Sequence, residues 1–235
     1  MKDIQCTAII PAAGRGTRMN KKKLKQYIEL NNKPILVYTL QAFEKCNNID
    51  NIILVVGEKE VDYCIKEIVE KYKFRKIIYV IKGGNERQNS VYEGLRHVPD
   101  STDIVLIHDG ARPFINEKHI KETIGCAYKN GACVLGVPVK DTIKVINDNI
   151  IVDTPKRDSL WSIQTPQTFK RELIKSSYEK AIKDKYVATD DSMIVEKYSD
   201  INVKIVEGSY ANMKITTNED LIIAKSFITN GMTLD

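Results

Sequence analysis

The sequence predicts an α/β domain, a mostly parallel sheet with helices on both faces, into which one β-hairpin is inserted. Three observations predict it. From residue 7 to residue 137, short β-branched runs alternate with longer helical patterns, the signature of parallel strands joined by crossover helices. At 142–153 the alternation breaks into two apolar segments around Asn147-Asp148-Asn149, as a hairpin requires. The 235 residues contain no linker, repeat or low-complexity tract, and a chain below about 250 residues is accommodated by one core. A single domain over 1–235 is therefore expected.

The elements follow in order. Residues 7–10 read as the first strand, ended by Pro11. A helix is expected at 34–45, with Pro34 suited to its first turn. The second strand is 52–56. Val61, Cys64, Ile65, Ile68, Val69 and Tyr72 then recur at the spacing of one helix face. A strand at 77–81 precedes a helix at 89–98, with Val91, Leu95 and Val98 inward. A strand at 104–107, a helix at 117–129 and a strand at 133–137 continue the pattern. The hairpin strands, 142–146 and 150–153, carry Ile143, Val145, Ile150 and Val152 on one face. Two strands alone are marginal in water, so that face needs a surface to cover it. Helices at 170–183, 190–198 and 218–227 and a strand at 203–206 complete the chain. Right-handed crossovers gather the strand C-termini on one edge, where ligands bind. The loops after Ile10, Ile81 and Ile107 are thereby the candidate binding loops.

Composition narrows the function classes. Hydrophobic residues at 43% and charged residues at 29% are ordinary for a soluble chain. The net charge of +5 comes without a basic block beyond Lys21-Lys22-Lys23, which suits an anionic small molecule better than nucleic acid. Five cysteines, an odd number without a C-x-x-C pair, argue against a disulfide framework or a zinc site. No stretch is long enough to span a bilayer, and Ala8-Ile9-Ile10 is too short for a signal-peptide core. A cytoplasmic protein is expected.

Three loops carry chemistry. Pro11-Ala12-Ala13-Gly14-Arg15-Gly16-Thr17-Arg18-Met19 follows the first strand, and its small residues let backbone N–H groups cradle an anion. Met19 stands where a dinucleotide fingerprint needs its third glycine, and the G-x-x-x-x-G-K-[ST] phosphate loop is absent. Arg15, Arg18, Lys21 to Lys23 and Lys25 follow instead, which suits a triphosphate, although a tight turn beside a solvated basic loop would read the same way. Gly83-Gly84 after the third strand allows close backbone approach, with Arg87 and Ser90 at a helix start. His108-Asp109 closes the fourth strand. An acid at that edge can hold a ribose hydroxyl or a hydrated Mg²⁺. Arg112 can pair with Asp109 or help fix the loop, and His108, without a partner motif, reads as structural.

Together these segments resemble the 2-C-methyl-D-erythritol 4-phosphate cytidylyltransferase family of non-mevalonate isoprenoid synthesis. The resemblance runs from about Ala8 to Ala224. Besides the three loops it includes Lys25-Gln26-Tyr27, Val139-Lys140-Asp141-Thr142-Ile143-Lys144, Arg157-x-x-Leu160-Trp161, Gln164-Thr165-Pro166-Gln167-x-Phe169, Thr189-Asp190 and Glu207-Gly208-x-x-x-Asn212-x-Lys214. Leu24 and Gly110 depart from the family's usual Pro and Ala. The resemblance implies a Rossmann-like fold of nucleotidyltransferase type, a hairpin arm at about 139–160, and transfer of CMP from CTP with release of pyrophosphate. It implies that Arg18 and Lys25 stabilise charge at the α-phosphate, and that Arg157 and Lys214 hold the acceptor phosphate. Thr142, Thr165 and Thr189 would line the acceptor pocket. Ala12, Ala13, Gly14, Gly16, Gly83, Arg87, Ser90 and Arg112 would serve nucleotide binding, with Asp109 on the ribose and near Mg²⁺. It further implies a homodimer through the arm.

The rival readings are a ribitol-5-phosphate cytidylyltransferase, an NAD-dependent oxidoreductase and a non-catalytic nucleotide-binding module. Lys140 to Lys144 and Leu160-Trp161 resemble the methylerythritol enzymes more closely than the ribitol ones. The missing third glycine opposes the oxidoreductase, and the cations Arg18, Lys25, Arg157 and Lys214 oppose the non-catalytic module.

Overall fold

The computed structural model describes residues 4–14 and 24–230. In chain order it contains β1 (Cys6–Pro11), β2 (Glu29–Leu30), β3 (Lys33–Pro34), α1 (Ile35–Lys45), β4 (Asn51–Val56) and α2 (Val61–Tyr63). β5 (Ile77–Lys82), α3 (Arg87–Arg96), β6 (Ile104–Ile107), α4 (Glu117–Asn130) and β7 (Ala132–Pro138) follow. Next come β8 (Val145–Asn147), β9 (Ile150–Asp153), β10 (Trp161–Lys170), α5 (Arg171–Lys183), α6 (Asp191–Tyr198), β11 (Lys204–Glu207) and α7 (Asn218–Thr229).

The main sheet has the order β11-β7-β10-β6-β1-β4-β5. Its pairings are parallel except those of β10, which runs antiparallel to both β6 and β7. From β1 the chain winds outward through β4 to β5, then restarts at β6 on the other side of β1. The crevice between β1 and β6 is therefore the topological switch point, where open α/β sheets bind ligands.

Strand alternation builds a core on each face. Ala8, Ile10, Ile52 and Leu54 pack with Leu36, Leu40 and Phe43 of α1 and Ile120 and Ile124 of α4. Ile9, Ile53 and Val55 point the other way, to Val91 and Leu95 of α3, Ile174 and Tyr178 of α5 and Ile194 of α6. The alternation that made these strands legible thus also accounts for helices on both faces. Cys6, Cys46, Cys64 and Cys133 are buried and Cys126 is half-buried, as small apolar residues are.

Three local expectations change. The helix expected over 61–72 starts as α2 but continues as a π-helix, Cys64–Glu70. β10 was not anticipated, because Ser162, Gln164, Thr165, Gln167 and Thr168 are polar and Pro166 opposes a central strand. A register irregularity between Ile163 and Gln167 takes up the proline, whose bond from Thr165 is cis. The first hairpin strand begins at Val145 and not at residue 142. Its turn places Asp148 and Asn149 at φ 47 and 64, the left-handed pair that closes two-residue hairpins. Ile146 pairs with Ile151, so the second face of the hairpin is apolar as well.

Candidate active site

A cavity of about 630 Å³ opens at the switch point, lined by the ends of β1, β4, β5 and β6. Backbone hydrogen bonds align these ends. Ala12 N donates to Val55 O at 2.7 Å, Gly83 N to Val56 O at 2.7 Å and Gly110 N to Pro11 O at 3.1 Å. A Cβ on Gly83 would lie 2.5 Å from Ser90 Oγ and 2.8 Å from Ala13 Cβ. Only glycine lets the end of β5 come so close to the first turn and the start of α3. At Gly110, the departure from the family pattern, an added Cβ would meet Leu36 Cδ1 at 3.0 Å and Ala12 Cβ at 3.1 Å. Glycine relieves that crowding.

Asp109 is the electrostatic centre of the cavity. Arg87 Nε donates to its Oδ1 at 3.0 Å and Lys214 Nζ lies 2.9 Å from its Oδ2. Arg112 Nε is 3.5 Å from the same Oδ2. Burial opposes ionisation of Asp109, but Arg87, Lys214 and Arg112 outweigh it and hold the carboxyl well below the usual range. Arg87 also bonds Asp191 through both terminal nitrogens, at 3.0 and 2.7 Å. Burial disfavours its charge as well, yet Asp191 and Asp109 raise its pKa well above the ordinary value. Around Asp109 itself two carboxylates face three cations, while Lys25, Glu58 and Glu86 line the rest of the cavity. The local excess of cations at the Asp109 end is where an anion is favoured.

The elements that place these groups are local and identifiable. Asp190 caps α6 by accepting from Met193 N at 2.9 Å. Gln167 of β10 accepts from the N–H groups of Asp191 and Ser192 at 3.0 and 2.9 Å. The helix start is thereby fastened to the sheet, and Asp191 is turned inward, where Tyr178 Oη donates to it at 2.5 Å. Asn212 donates to Thr165 O at 2.9 Å and accepts through its own carbonyl from Arg112 at 2.8 Å. Ile215 N donates to Ala111 O at 2.9 Å. These bonds bring Lys214 beside the Asp109 loop.

His108 is structural, as its sequence context indicated. It is fully buried against Phe43, with ring centroids 5.0 Å apart. Burial lowers its pKa to about 4, so it is neutral near pH 7. Its Nε2 lies 3.1 Å from Arg112 O, which can only accept, so Nε2 carries the hydrogen. Nδ1 then accepts from the Thr165 hydroxyl at 3.1 Å, and the Thr165 oxygen accepts from Asp109 N at 3.1 Å.

Of the residues singled out by sequence, Ala12, Ala13, Gly14, Lys25, Gly83, Arg87, Ser90, Asp109 and Lys214 line the cavity together. Arg112 and Thr165 sit directly behind Asp109. Arg87 commits its guanidinium to Asp109 and Asp191, which leaves fewer of its N–H groups for the nucleotide contact that the resemblance implied. Arg157 and Thr142 are exposed on the hairpin arm, bonded to each other at 3.0 Å and outside the cavity. Thr189 is exposed ahead of α6, its hydroxyl 3.6 Å from Met193 Sδ. Gly16 and Arg18 lie outside the described residues. Sequence reading missed Asp191; its one signal was the acidic doublet Asp190-Asp191 at a helix start. Among the described residues no group of three or more His, Cys, Asp or Glu forms a metal cage. Among them, too, no helix is long and apolar enough to cross a membrane.

Known proteins share this architecture. The family model of 2-C-methyl-D-erythritol 4-phosphate cytidylyltransferase, IspD, matches residues 6–230. The chain is 50% identical over 230 residues to the protein of that name from Alkaliphilus oremlandii, covering 97% of both chains. It is 47% identical to the one from Clostridioides difficile, covering 94% of this chain and 93% of that one. The crystal structure of 4-diphosphocytidyl-2C-methyl-D-erythritol synthase from Anaerococcus prevotii superposes with a TM-score of 0.86 at 41% identity, over 97% of both chains. The Thermus thermophilus cytidylyltransferase does so with a TM-score of 0.78 at 26% identity, over 94% and 98%. With the family model spanning nearly the whole chain and the switch-point cavity built from its motif residues, this chain belongs to the 2-C-methyl-D-erythritol 4-phosphate cytidylyltransferase family.

Proposed function

We propose that the cavity binds CTP and that the chain transfers CMP to 2-C-methyl-D-erythritol 4-phosphate, releasing pyrophosphate. The observation that carries this reading is the set of three cations, Arg87, Arg112 and Lys214, gathered on Asp109 beside a glycine-lined turn at the switch point. In the Ala12–Gly14 turn, the backbone N–H groups of Ala13 and Gly14 are offered to the triphosphate. Lys25 faces the α-phosphate, the role that the resemblance also gives to Arg18. Gly83, Ser90 and Arg87 border the cytidine, and Asp109 takes the ribose.

A divalent ion fits the donor chemistry. Mg²⁺ takes one or two carboxylates together with substrate phosphate oxygens, and among the described residues Asp109, Glu58 and Glu86 are the carboxylates lining the cavity, Asp109 at the strand end. Its oxygens already meet three cations, so the triphosphate would supply most of the ligands. The ion would neutralise phosphate charge.

The acceptor phosphate is already anionic, so no strong general base is required. One of its oxygens forms a bond to Pα in line as the bond from Pα to the bridging oxygen of pyrophosphate breaks. The residues of the chain supply position and fixed positive charge. Lys25 stabilises the oxygens of the crowded phosphorus, and Lys214 and Arg157 grip the acceptor phosphate, beside Thr142, Thr165 and Thr189.

Because Arg157 and Thr142 lie on the arm and outside the cavity of their own chain, they serve a partner. A homodimer through the hairpin accounts for this. The arm exposes Ile143, Val145, Ile146, Ile150, Ile151 and Val152 at 41–67%, and a two-fold pair would bury them symmetrically. The use of CTP accords with a cytoplasmic location.

The test is pyrophosphate release with CTP, ATP, GTP and UTP against methylerythritol phosphate and ribitol phosphate. CTP with methylerythritol phosphate should be the fastest pair. Faster turnover of ribitol phosphate would reassign the acceptor, and no release from CTP with either acceptor would overturn the reading.

A further inference from the structure

Lys25 opens a single 3₁₀ turn, Lys25–Tyr27, and the two residues behind it are fastened in different directions. Gln26 is only 2% exposed and borders the cavity. Its Nε2 donates to the carbonyl oxygen of Ala12 at 2.6 Å. Ala12 is held in turn by its own N–H bond to Val55 O at 2.7 Å. Gln26 thus ties the Lys25 turn to the residue that joins β1 to β4. Tyr27, also buried, places its hydroxyl 3.1 Å from Cys64 Sγ and its ring edge-on to Tyr63 at 5.1 Å. Cys64 is the first residue of the π-helical segment, a departure from α geometry often found near functional sites.

Packing alone does not call for an amide at position 26. Its Oε1 is buried and has no hydrogen-bond partner among the described residues. A buried acceptor without a donor is destabilising, and Met or Leu would fill similar volume without that cost. What the amide uniquely supplies is a donor aimed at Ala12 O, which sets the spacing between the anion-cradling turn and Lys25.

We propose that Gln26 is a positioning residue that holds Lys25 in register with the Ala12–Gly14 turn, so that its ammonium meets the charge developing at the α-phosphate. The inference rests on the reading of Lys25 as facing the triphosphate. Gln26 touches no reacting atom; it acts through Lys25. Misplacing a reacting or charge-stabilising group by about 1 Å costs up to ~10²-fold in rate, which is the leverage such a tether has.

The experiment is steady-state kinetics on Gln26→Met, Gln26→Leu, Lys25→Ala and the two double variants, with thermal melts of each. Gln26→Met orphans Ala12 O as it removes the orphaned Oε1, so Tm should change little, while kcat should fall about tenfold and KM for CTP and acceptor should change less than about threefold. Gln26→Leu should behave alike. In the Lys25→Ala background, either change should lower kcat by less than about twofold more, because residues acting as a unit are not additive. A lowered Tm with parental kcat per folded molecule would mean a merely structural glutamine and overturn the proposal. A full multiplicative loss in the Lys25→Ala background would also overturn it, as would failure of both Gln26 variants to fold. If Lys25→Ala keeps the parental kcat, the assignment of Lys25 itself fails and the proposal falls with it. If Lys25→Ala is slow and Gln26→Met is not, only the Gln26 proposal fails.

Discussion

The cluster around Asp109 and the hairpin arm are both unusual surfaces for a folded chain, and they are stabilised in opposite ways. Around Asp109, charge is buried and each carboxylate is matched within the chain by Arg87, Arg112 or Lys214. On the arm, apolar side chains stand in the open with no described element covering them. A buried ion cluster is costly to desolvate and worth keeping only where its geometry is complete. An exposed apolar hairpin is marginal by itself and gains stability only from something docked on it. On the proposed reading, the nucleotide half of the site is finished by folding, whereas the half bearing Arg157 and Thr142 would be finished by association.

Removing divalent ions is the strongest way to break the nucleotide half. Excess chelator should abolish pyrophosphate release, and added Mg²⁺ should restore it. Full turnover in chelator would remove Asp109 from any metal role.

Next in size is the effect of opening the buried cluster from behind. Asp191→Ala leaves Arg87 facing one carboxylate in place of two, and breaking a buried pair costs about 3–5 kcal/mol. Denaturant titration should show that loss. A change within about 0.5 kcal/mol, the level of a surface substitution, would mean that the pair adds nothing to the finished half.

Lys25→Ala should lower kcat by ~10²-fold or more, the scale of removing one donor to a developing charge. CTP binding, read by calorimetry, should weaken much less. An unchanged kcat would place Lys25 outside the chemistry.

The arm is tested by charge. Ile146→Lys with Ile151→Lys puts two cations on a paired position of the hairpin. Sedimentation should show a dimer for the parent and a monomer for the variant, with acceptor turnover lost and CTP binding kept. A parent that sediments as a monomer at micromolar concentration would contradict association altogether.

The smallest effect separates the two halves within one assay. Arg157→Ala removes a planar fork for the acceptor phosphate, and the acceptor KM should rise about tenfold. KM for CTP should stay near the parental value. A change confined to CTP would place Arg157 in the nucleotide half.

The parallel frame and the candidate loops were legible in the order of residues alone. Runs such as Ile52 to Val56 and Ile104 to Ile107 are buried on both faces, so their composition alone marks them as strands. Asp109 was legible because an acid at a strand's C-terminal end in this fold has few other uses. β10 was not legible, because Gln164, Thr165 and Gln167 are buried by hydrogen bonding to α6 and the 209–212 loop, and no periodicity records that. Nor was the ion pair of Arg87 and Asp191, which are 104 positions apart and meet only because Gln167 docks the start of α6 onto the sheet. Local pattern reports which surface a residue must bury, since burial is set by neighbours along the chain. Which charge meets which is set by packing between distant elements, and only the tertiary structure decides it.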